Sequence, residues 1–146
     1  SLVYNMADVF LGASMSEGFG IPLSEAQACG TPVVTTDFSA MPELVRWGTA
    51  VTPLDRVWTP MNSWQAWPDH TGITKALEEY YTLWMDTHRG TGAEWTNKAR
   101  AAQRAIHDEY SWDAIVRDQW APLIERLAGE APALAKREDM REAVLA

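Results

Sequence analysis

Cysteine is nearly absent. Cys29 stands alone among 146 residues, so neither an internal disulfide nor a zinc site built from several thiolates is possible. A lone thiol fits a reducing compartment, and a cytoplasmic location is expected. Positive charge is also scarce: twelve Lys and Arg against twenty Asp and Glu leave a net charge of −8. Nucleic-acid backbones are held by clustered cations, so no direct nucleic-acid contact is expected. No apolar run approaches the ~20 residues that cross a bilayer, so no transmembrane segment is expected. The opening Ser1-Leu2-Val3-Tyr4-Asn5-Met6 has no basic stretch ahead of an apolar one, and no secretory signal is expected. His70, His88 and His107 match no metal-ligand spacing, and no Asp has another Asp two places on. No metal site and no cofactor are therefore expected. No internal repeat or low-complexity tract is visible.

What is present is an ordinary globular composition, 47% hydrophobic and 22% charged, in a chain of 16.3 kDa. That excludes a disordered tail, a collagen-like repeat and a coiled coil. The first half alternates apolar runs with helical patterns. Residues 2–7 read as the end of a helix already under way, which suggests a piece of a longer protein. Residues 8–13 form an apolar run of strand length that ends in a loop containing Gly18 and Gly20. Residues 21–29 read as a helix, with Pro22 in its first turn and Gly30 as the left-handed residue closing it. Thr31 to Thr36 is a β-branched strand. Pro42 to Arg46 is a short helix, and Ala50 to Thr52 a third short strand. Strands apolar along their whole length are what burial on both faces requires. The pattern predicts an α/β fold, a partial Rossmann-like parallel sheet followed by C-terminal helices.

Residues 53–69 show no clear period and contain three of the eight tryptophans, Trp58, Trp64 and Trp67. They read as a long ordered loop. The three tryptophans are taken as packing residues, with a wall for a sugar pocket as the sharper alternative. Three amphipathic stripes follow. Ile73, Leu77, Tyr80, Tyr81 and Trp84 mark the first, and Trp95, Ala99, Ala102, Ile106 and Tyr110 the second. Trp112, Val116, Trp120, Leu123 and Leu127 mark the third, with Ser111 as N-cap and Pro122 expected to kink or split it. Residues 1–128 are read as one domain and 129–146 as a tail with a weak helix.

The stretch that carries chemistry is Glu17-Gly18-Phe19-Gly20-Ile21-Pro22-Leu23-Ser24-Glu25. One carboxylate lies in the loop after a strand and the other on the helix that follows. Ligands of open parallel sheets bind beyond the carboxyl ends of the strands. Gly18 and Gly20 lack a Cβ, so ligand oxygens can approach the backbone. The amides of Phe19, Gly20 and Ile21 lie at a helix N-terminus, which favours an anion. Glu25 is placed to accept hydrogen bonds from a diol. A nucleotide diphosphate sugar combines these features, with hydroxyls at both ends and phosphates between.

These residues resemble the E-x7-E motif of retaining GT-B glycosyltransferases (GT4-like, glycosyl transferases group 1), in the form E-G-F-G-x-x-x-x-E. The flanks agree: Tyr4-Asn5-Met6-Ala7-Asp8-Val9-Phe10 before the motif, and Ala28-Cys29-Gly30-Thr31-Pro32-Val33-Val34 after it. Pro42-Glu43 and Tyr110-Ser111-Trp112-Asp113 match later landmarks. The likeness covers roughly residues 1–55 and returns near 110–127. It implies the C-terminal half of a donor domain. Glu17 would act at the donor sugar as the catalytic-site carboxylate, and Gly18, Phe19, Gly20 and Ile21 would line the sugar and distal phosphate. Glu25 would bind the ribose hydroxyls. It also implies glycosyl transfer with retention and no protein nucleophile. The Arg and Lys that members place on the diphosphate would come from earlier strands outside this sequence, as would the acceptor domain. The chain alone is therefore expected to be inactive. Lys75 falls on an amphipathic helix and is kept out of the site.

Asp37, Phe38 and Ser39 follow a strand's carboxyl end and are candidates for the cleft. Glu43 is either a cleft contact or a first-turn carboxylate answering the helix dipole. Cys29 is read as a small packing residue. Two other readings compete. One is a non-catalytic split or truncated module that completes a partner chain's sheet. The other is an epimerase or phosphorylase on the same fold, which the E-G-F-G form argues against.

Overall fold

Short β-branched runs with no polar interruption pair in parallel when helices can cover both of their faces. That is the arrangement in the computed structural model, which describes residues 2–89 and 93–130. A helical turn, α1 (Leu2–Asn5), leads into β1 (Phe10–Gly12), α2 (Ile21–Ala28), β2 (Val33–Thr36), α3 (Met41–Leu44) and β3 (Gly48–Val51). The three strands form a parallel sheet in the order β1-β2-β3. Phe10 pairs with Val33 across the first ladder, and Val33 with Gly48 across the second.

Alternation along β2 assigns its two faces. Val34 packs with Val51 and with Ile73 and Ala76 of α4 (His70–His88), with Val9, Leu77 and Tyr80 at the margin. Thr35 points the other way, and its hydroxyl lies 3.2 Å from the Met41 sulfur of α3. Its Oγ1 also donates to the Gly12 carbonyl at 2.8 Å. Gly48 is demanded by the second ladder, because a Cβ there would run into the Val33 carbonyl oxygen.

The closure of α2 follows the expected route. Gly30 adopts φ 83°, its amide donates to Gln27 O at 2.9 Å, and the Thr31 amide donates to Ala26 O at 3.0 Å. This is the Schellman pair of bonds. Gln27, fully buried, ties α2 to the chain entering β3. Its Nε2 donates to the Leu23 and Leu44 carbonyls, and its Oε1 accepts from the Arg46 and Trp47 amides at 2.7 and 2.9 Å.

Residues 53–69 correct the sequence reading. They are a hairpin, β4 (Asp55–Trp58) and β5 (Trp64–Trp67), paired antiparallel. Thr59-Pro60-Met61-Asn62-Ser63 makes the turn: Asn62 sits at φ 60° and its amide donates to Thr59 O, while the Thr59 amide donates to Ser63 O. Pro60 supplies the fixed φ that opens such a turn, and Asn tolerates the left-handed position.

Helix α4 begins at an Asp69 N-cap whose side chain accepts from the Thr71 amide. Ile73 and Ala76 are buried and Leu77, Tyr80 and Trp84 half-buried, but Tyr81 is exposed, so the stripe is narrower than expected. Helix α5 (Glu94–Tyr110) buries Ala102 and Ile106 as expected, and Trp95 meets Trp47 edge-on with centroids 4.9 Å apart.

The chain divides into two compact units, Ser1–His107 and Asp108–Ala146. In the second, Ser111 caps α6 (Trp112–Ile115), its Oγ accepting from the Ala114 amide. A π turn, Val116–Trp120, follows, and residues 121–130 are again helical. The Ala121 amide donates to Val116 O, one residue further back than in an α-helix, directly ahead of Pro122. The lengthened turn accommodates the missing N–H and the ring of that proline without ending the helix. The stripe Trp112, Val116, Trp120, Leu123 and Leu127 is exposed, not buried as expected. The tail read at 129–146 lies outside the described residues beyond residue 130.

Candidate functional site

The three connections that leave the carboxyl ends of the parallel strands carry the candidate site. They are the loop 13–20 after β1, the turn 37–40 after β2 and the hairpin after β3. In an open parallel sheet this is the end where ligands bind.

Glu17 is fixed at both its backbone and its side chain. Its amide donates to Ser39 Oγ at 3.0 Å, and its Oε1 accepts from Ser14 Oγ at 2.7 Å. Glu17, Gly18 and Phe19 are exposed, so the loop turns its motif outward. Gly20 is the N-cap of α2, at φ 97°, and no side chain caps the helix. Two reasons make it glycine: the left-handed backbone, and a Cβ that would press on Leu23 Cδ1 at 3.2 Å and Leu44 Cδ1 at 3.3 Å. Around Gly18 a Cβ would meet nothing within 4 Å, so the fold does not require that glycine. Among the described residues the amides of Gly20 and Ile21 have no acceptor, and they sit at the positive end of α2.

Glu25 is exposed on α2, and its Oε2 accepts from the Tyr4 hydroxyl at 2.9 Å. That bond, ahead of desolvation and the carboxylate charge, raises the Tyr4 phenol above its ordinary pKa. Tyr4 is itself positioned by Phe10, edge-on at 5.7 Å, and by Thr31, whose hydroxyl donates to the Tyr4 carbonyl at 2.9 Å.

The turn after β2 holds three nominated residues. The Asp37 amide donates to Val51 O at 2.8 Å, which leaves its exposed carboxylate at the strand end. Ser39 takes a left-handed φ of 53° and anchors Glu17. The Arg56 guanidinium lies over the Phe38 ring, 5.2 Å from its centroid. Glu43 is exposed in the first turn of α3, and its carbonyl accepts from Arg46 at 2.7 Å. Cys29 lines an open crevice of about 410 Å³ together with Asp8, Trp84 and His88, and none of the nominated site residues lines it. Among the described residues no group of three or more His, Cys, Asp or Glu could hold a metal ion.

Several participants were not nominated from sequence. Ser14 precedes Glu17 by three residues, a spacing that permits the bond seen. Tyr4 and Arg56 reach the site only through tertiary structure. Ser24, beside Glu25, is buried with no hydrogen-bond partner for its hydroxyl.

A three-stranded parallel sheet followed by helices, with a glycine-capped helix after its first strand, is a partial Rossmann-like α/β arrangement. The family described as Glycosyl transferases group 1 matches residues 1–87, and the chain belongs to that family. It is 47% identical over 53 residues to a D-inositol 3-phosphate glycosyltransferase of Mycolicibacterium vanbaalenii, covering 36% of this chain and 12% of that protein. It is 44% identical over 43 residues to an O-antigen chain mannosyltransferase B of Escherichia coli, covering 30% and 11%. A serotype-specific mannosyltransferase WbdA of Escherichia coli is 35% identical over 49 residues, covering 34% and 6%. The chain thus aligns with 6% to 12% of the length of these relatives. No solved structure matches it. No helix among the described residues is long and apolar enough to cross a membrane.

Proposed function

We propose that this chain is the donor-binding part of a retaining glycosyltransferase that moves a hexosyl unit from a nucleotide diphosphate sugar to an acceptor hydroxyl. The observation that carries the reading is the loop Glu17–Gly20, clamped by Ser14 and Ser39 and presenting the uncapped N-terminus of α2. The amides of residues 19–21 face the distal phosphate, Glu17 accepts from the sugar hydroxyls, and Glu25 accepts from the ribose diol.

In this scheme the bond from the anomeric carbon to the phosphate oxygen breaks, and the bond to the acceptor oxygen forms on the same face. The released phosphate oxygen takes the acceptor's proton. The chain's own contribution is positioning and stabilisation of the developing negative charge. The reading assigns no metal ion to this segment and places the protein in the cytoplasm.

Among the described residues the sheet has two edge strands, β3 and β1, and Leu11 on β1 is exposed. Further strands bearing the phosphate-binding cations would join there, from the same polypeptide or from a complementary chain. Catalysis then belongs to the assembled protein.

The test is a thermal-shift panel of UDP-, GDP- and ADP-sugars on the full-length protein. A ligand at about a hundred times its Kd stabilises by about 2.7 kcal/mol, enough to raise the Tm by several degrees. One base class is expected to do so. No shift with any member at millimolar concentration refutes the reading.

A further inference from the structure

The Tyr4 hydroxyl donates to Glu25 Oε2 at 2.9 Å, a bond between the turn before β1 and the helix after it, 21 residues apart in sequence. Glu25 is exposed, and an exposed glutamate on a helix ordinarily samples several rotamers. Tyr4 removes that freedom, because it is held in place itself. It is half-buried, the Phe10 ring meets its ring edge-on at 5.7 Å, and its carbonyl accepts from the Thr31 hydroxyl at 2.9 Å. Glu25 stands four residues after Ile21, so these exposed side chains share one side of α2. The carboxylate therefore lies one turn along from the open amide end of the helix.

We propose that Tyr4 is a positioning residue for the donor nucleotide: its hydroxyl holds the Glu25 carboxylate in the rotamer that accepts both hydroxyls of the ribose diol. The inference rests on the donor reading above. A carboxylate offers about four acceptor positions, two on each oxygen. Tyr4 takes one on Oε2, which leaves Oε1 whole and a second position on Oε2, enough for a vicinal diol. Ordering a long, solvated side chain on binding lowers affinity, and a carboxylate already ordered by Tyr4 avoids that loss. The phenol stays protonated, and so remains a donor, at neutral pH. Its bond to Glu25, ahead of desolvation and the carboxylate charge, raises its pKa. Tyr4 thus acts on the ligand through Glu25.

The test measures Kd by calorimetry on the full-length protein with UDP, GDP and ADP and with their 2′,3′-dideoxy forms. For the base that binds, the wild type is expected to hold the ribose form about tenfold or more tighter than the dideoxy form. Tyr4→Phe keeps the ring against Phe10 and the backbone bond from Thr31. It is expected to weaken the ribose form about fivefold and to leave the dideoxy form within about twofold. A merely structural role would weaken both forms alike. In a Glu25→Ala background Tyr4→Phe is expected to add less than about twofold, because its only route to the ligand is gone. Tm reports whether each variant is folded. If Tyr4→Phe does not fold, Phe10→Leu decides: it keeps the hydroxyl but unseats it, so the preference for ribose is expected to fall, and an unchanged preference overturns the proposal. Equal loss of both forms in folded Tyr4→Phe, no loss of either, or a further loss on top of Glu25→Ala overturns it as well. A wild type that binds ribose and dideoxy forms equally, or binds no nucleotide, is a different result: it sinks the donor reading itself, and the role of Tyr4 with it.

Discussion

The Glu17 amide donates to Ser39 Oγ at 3.0 Å, joining two loops that leave neighbouring strands. Ser39 makes this bond from a left-handed backbone, φ 53°, which costs a non-glycine residue about 1 kcal/mol. Two substitutions separate the bond from the strain. Ser39→Ala keeps the strain and loses the bond, and is expected to lower stability by about 0.5–1.5 kcal/mol. Ser39→Gly loses the bond but relieves the strain, and is expected to stay closer to wild type in urea unfolding. Both should raise the donor KM, because both release the Glu17 loop. A donor KM that tracks stability instead of the bond would show that Ser39 serves the fold alone.

Gly18 and Gly20 make a second pair with opposite expectations. Gly20→Ala meets an unfavourable φ and two leucine methyls and is expected to cost about 1–3 kcal/mol in denaturant unfolding. Gly18→Ala meets nothing and should leave the Tm unchanged. If a phosphate or sugar approaches the backbone at Gly18, that variant still loses donor affinity. Full donor affinity in Gly18→Ala would place the ligand elsewhere.

Gln27 is expected to matter for stability and not for chemistry. Gln27→Leu leaves the Arg46 and Trp47 amides and the Leu44 carbonyl without their side-chain partner inside the fold. A buried group left unpaired costs about 1–3 kcal/mol, so unfolding free energy should fall by at least that much. Donor KM measured well below the Tm should change little.

The Tyr4–Glu25 bond predicts an alkaline effect. The Tyr4 pKa is raised in the fold, so the protonated phenol is the stabilised form. The stability it contributes is present below the ordinary tyrosine pKa near 10 and is lost as the pH rises through the higher folded value. Between pH 9 and 11.5 the wild type is expected to lose more stability than Tyr4→Phe. Parallel losses would mean that the bond contributes nothing in solution.

Much of this was legible in the sequence. Val33-Val34-Thr35-Thr36 is β-branched and unbroken, and it is the central strand. Gly30 ends α2 and Ser111 starts α6 as their residue types require. The hairpin was not legible, because its turn, Thr59-Pro60-Met61-Asn62-Ser63, is longer than the two-residue signals that announce hairpins. Its strands put tryptophan on both faces, so no alternation of apolar and polar residues marks them. The stripe from Trp112 to Leu127 was legible as a stripe, but periodicity shows only that a face is apolar, not what covers it. Of the site, the motif loop and α2 were read correctly in place. Its fastenings were not, since Tyr4 lies 21 residues from Glu25, and Ser39 lies 22 from Glu17.

The central claim is tested most directly by calorimetric titration of the full-length protein with a nucleotide diphosphate and with the matching nucleotide sugar. Glu25→Ala should weaken both ligands equally, by about 1–3 kcal/mol, because it removes the bonds to the ribose. Glu17→Ala should weaken the nucleotide sugar alone. Unchanged affinities in both variants, or the two effects exchanged, would contradict the account.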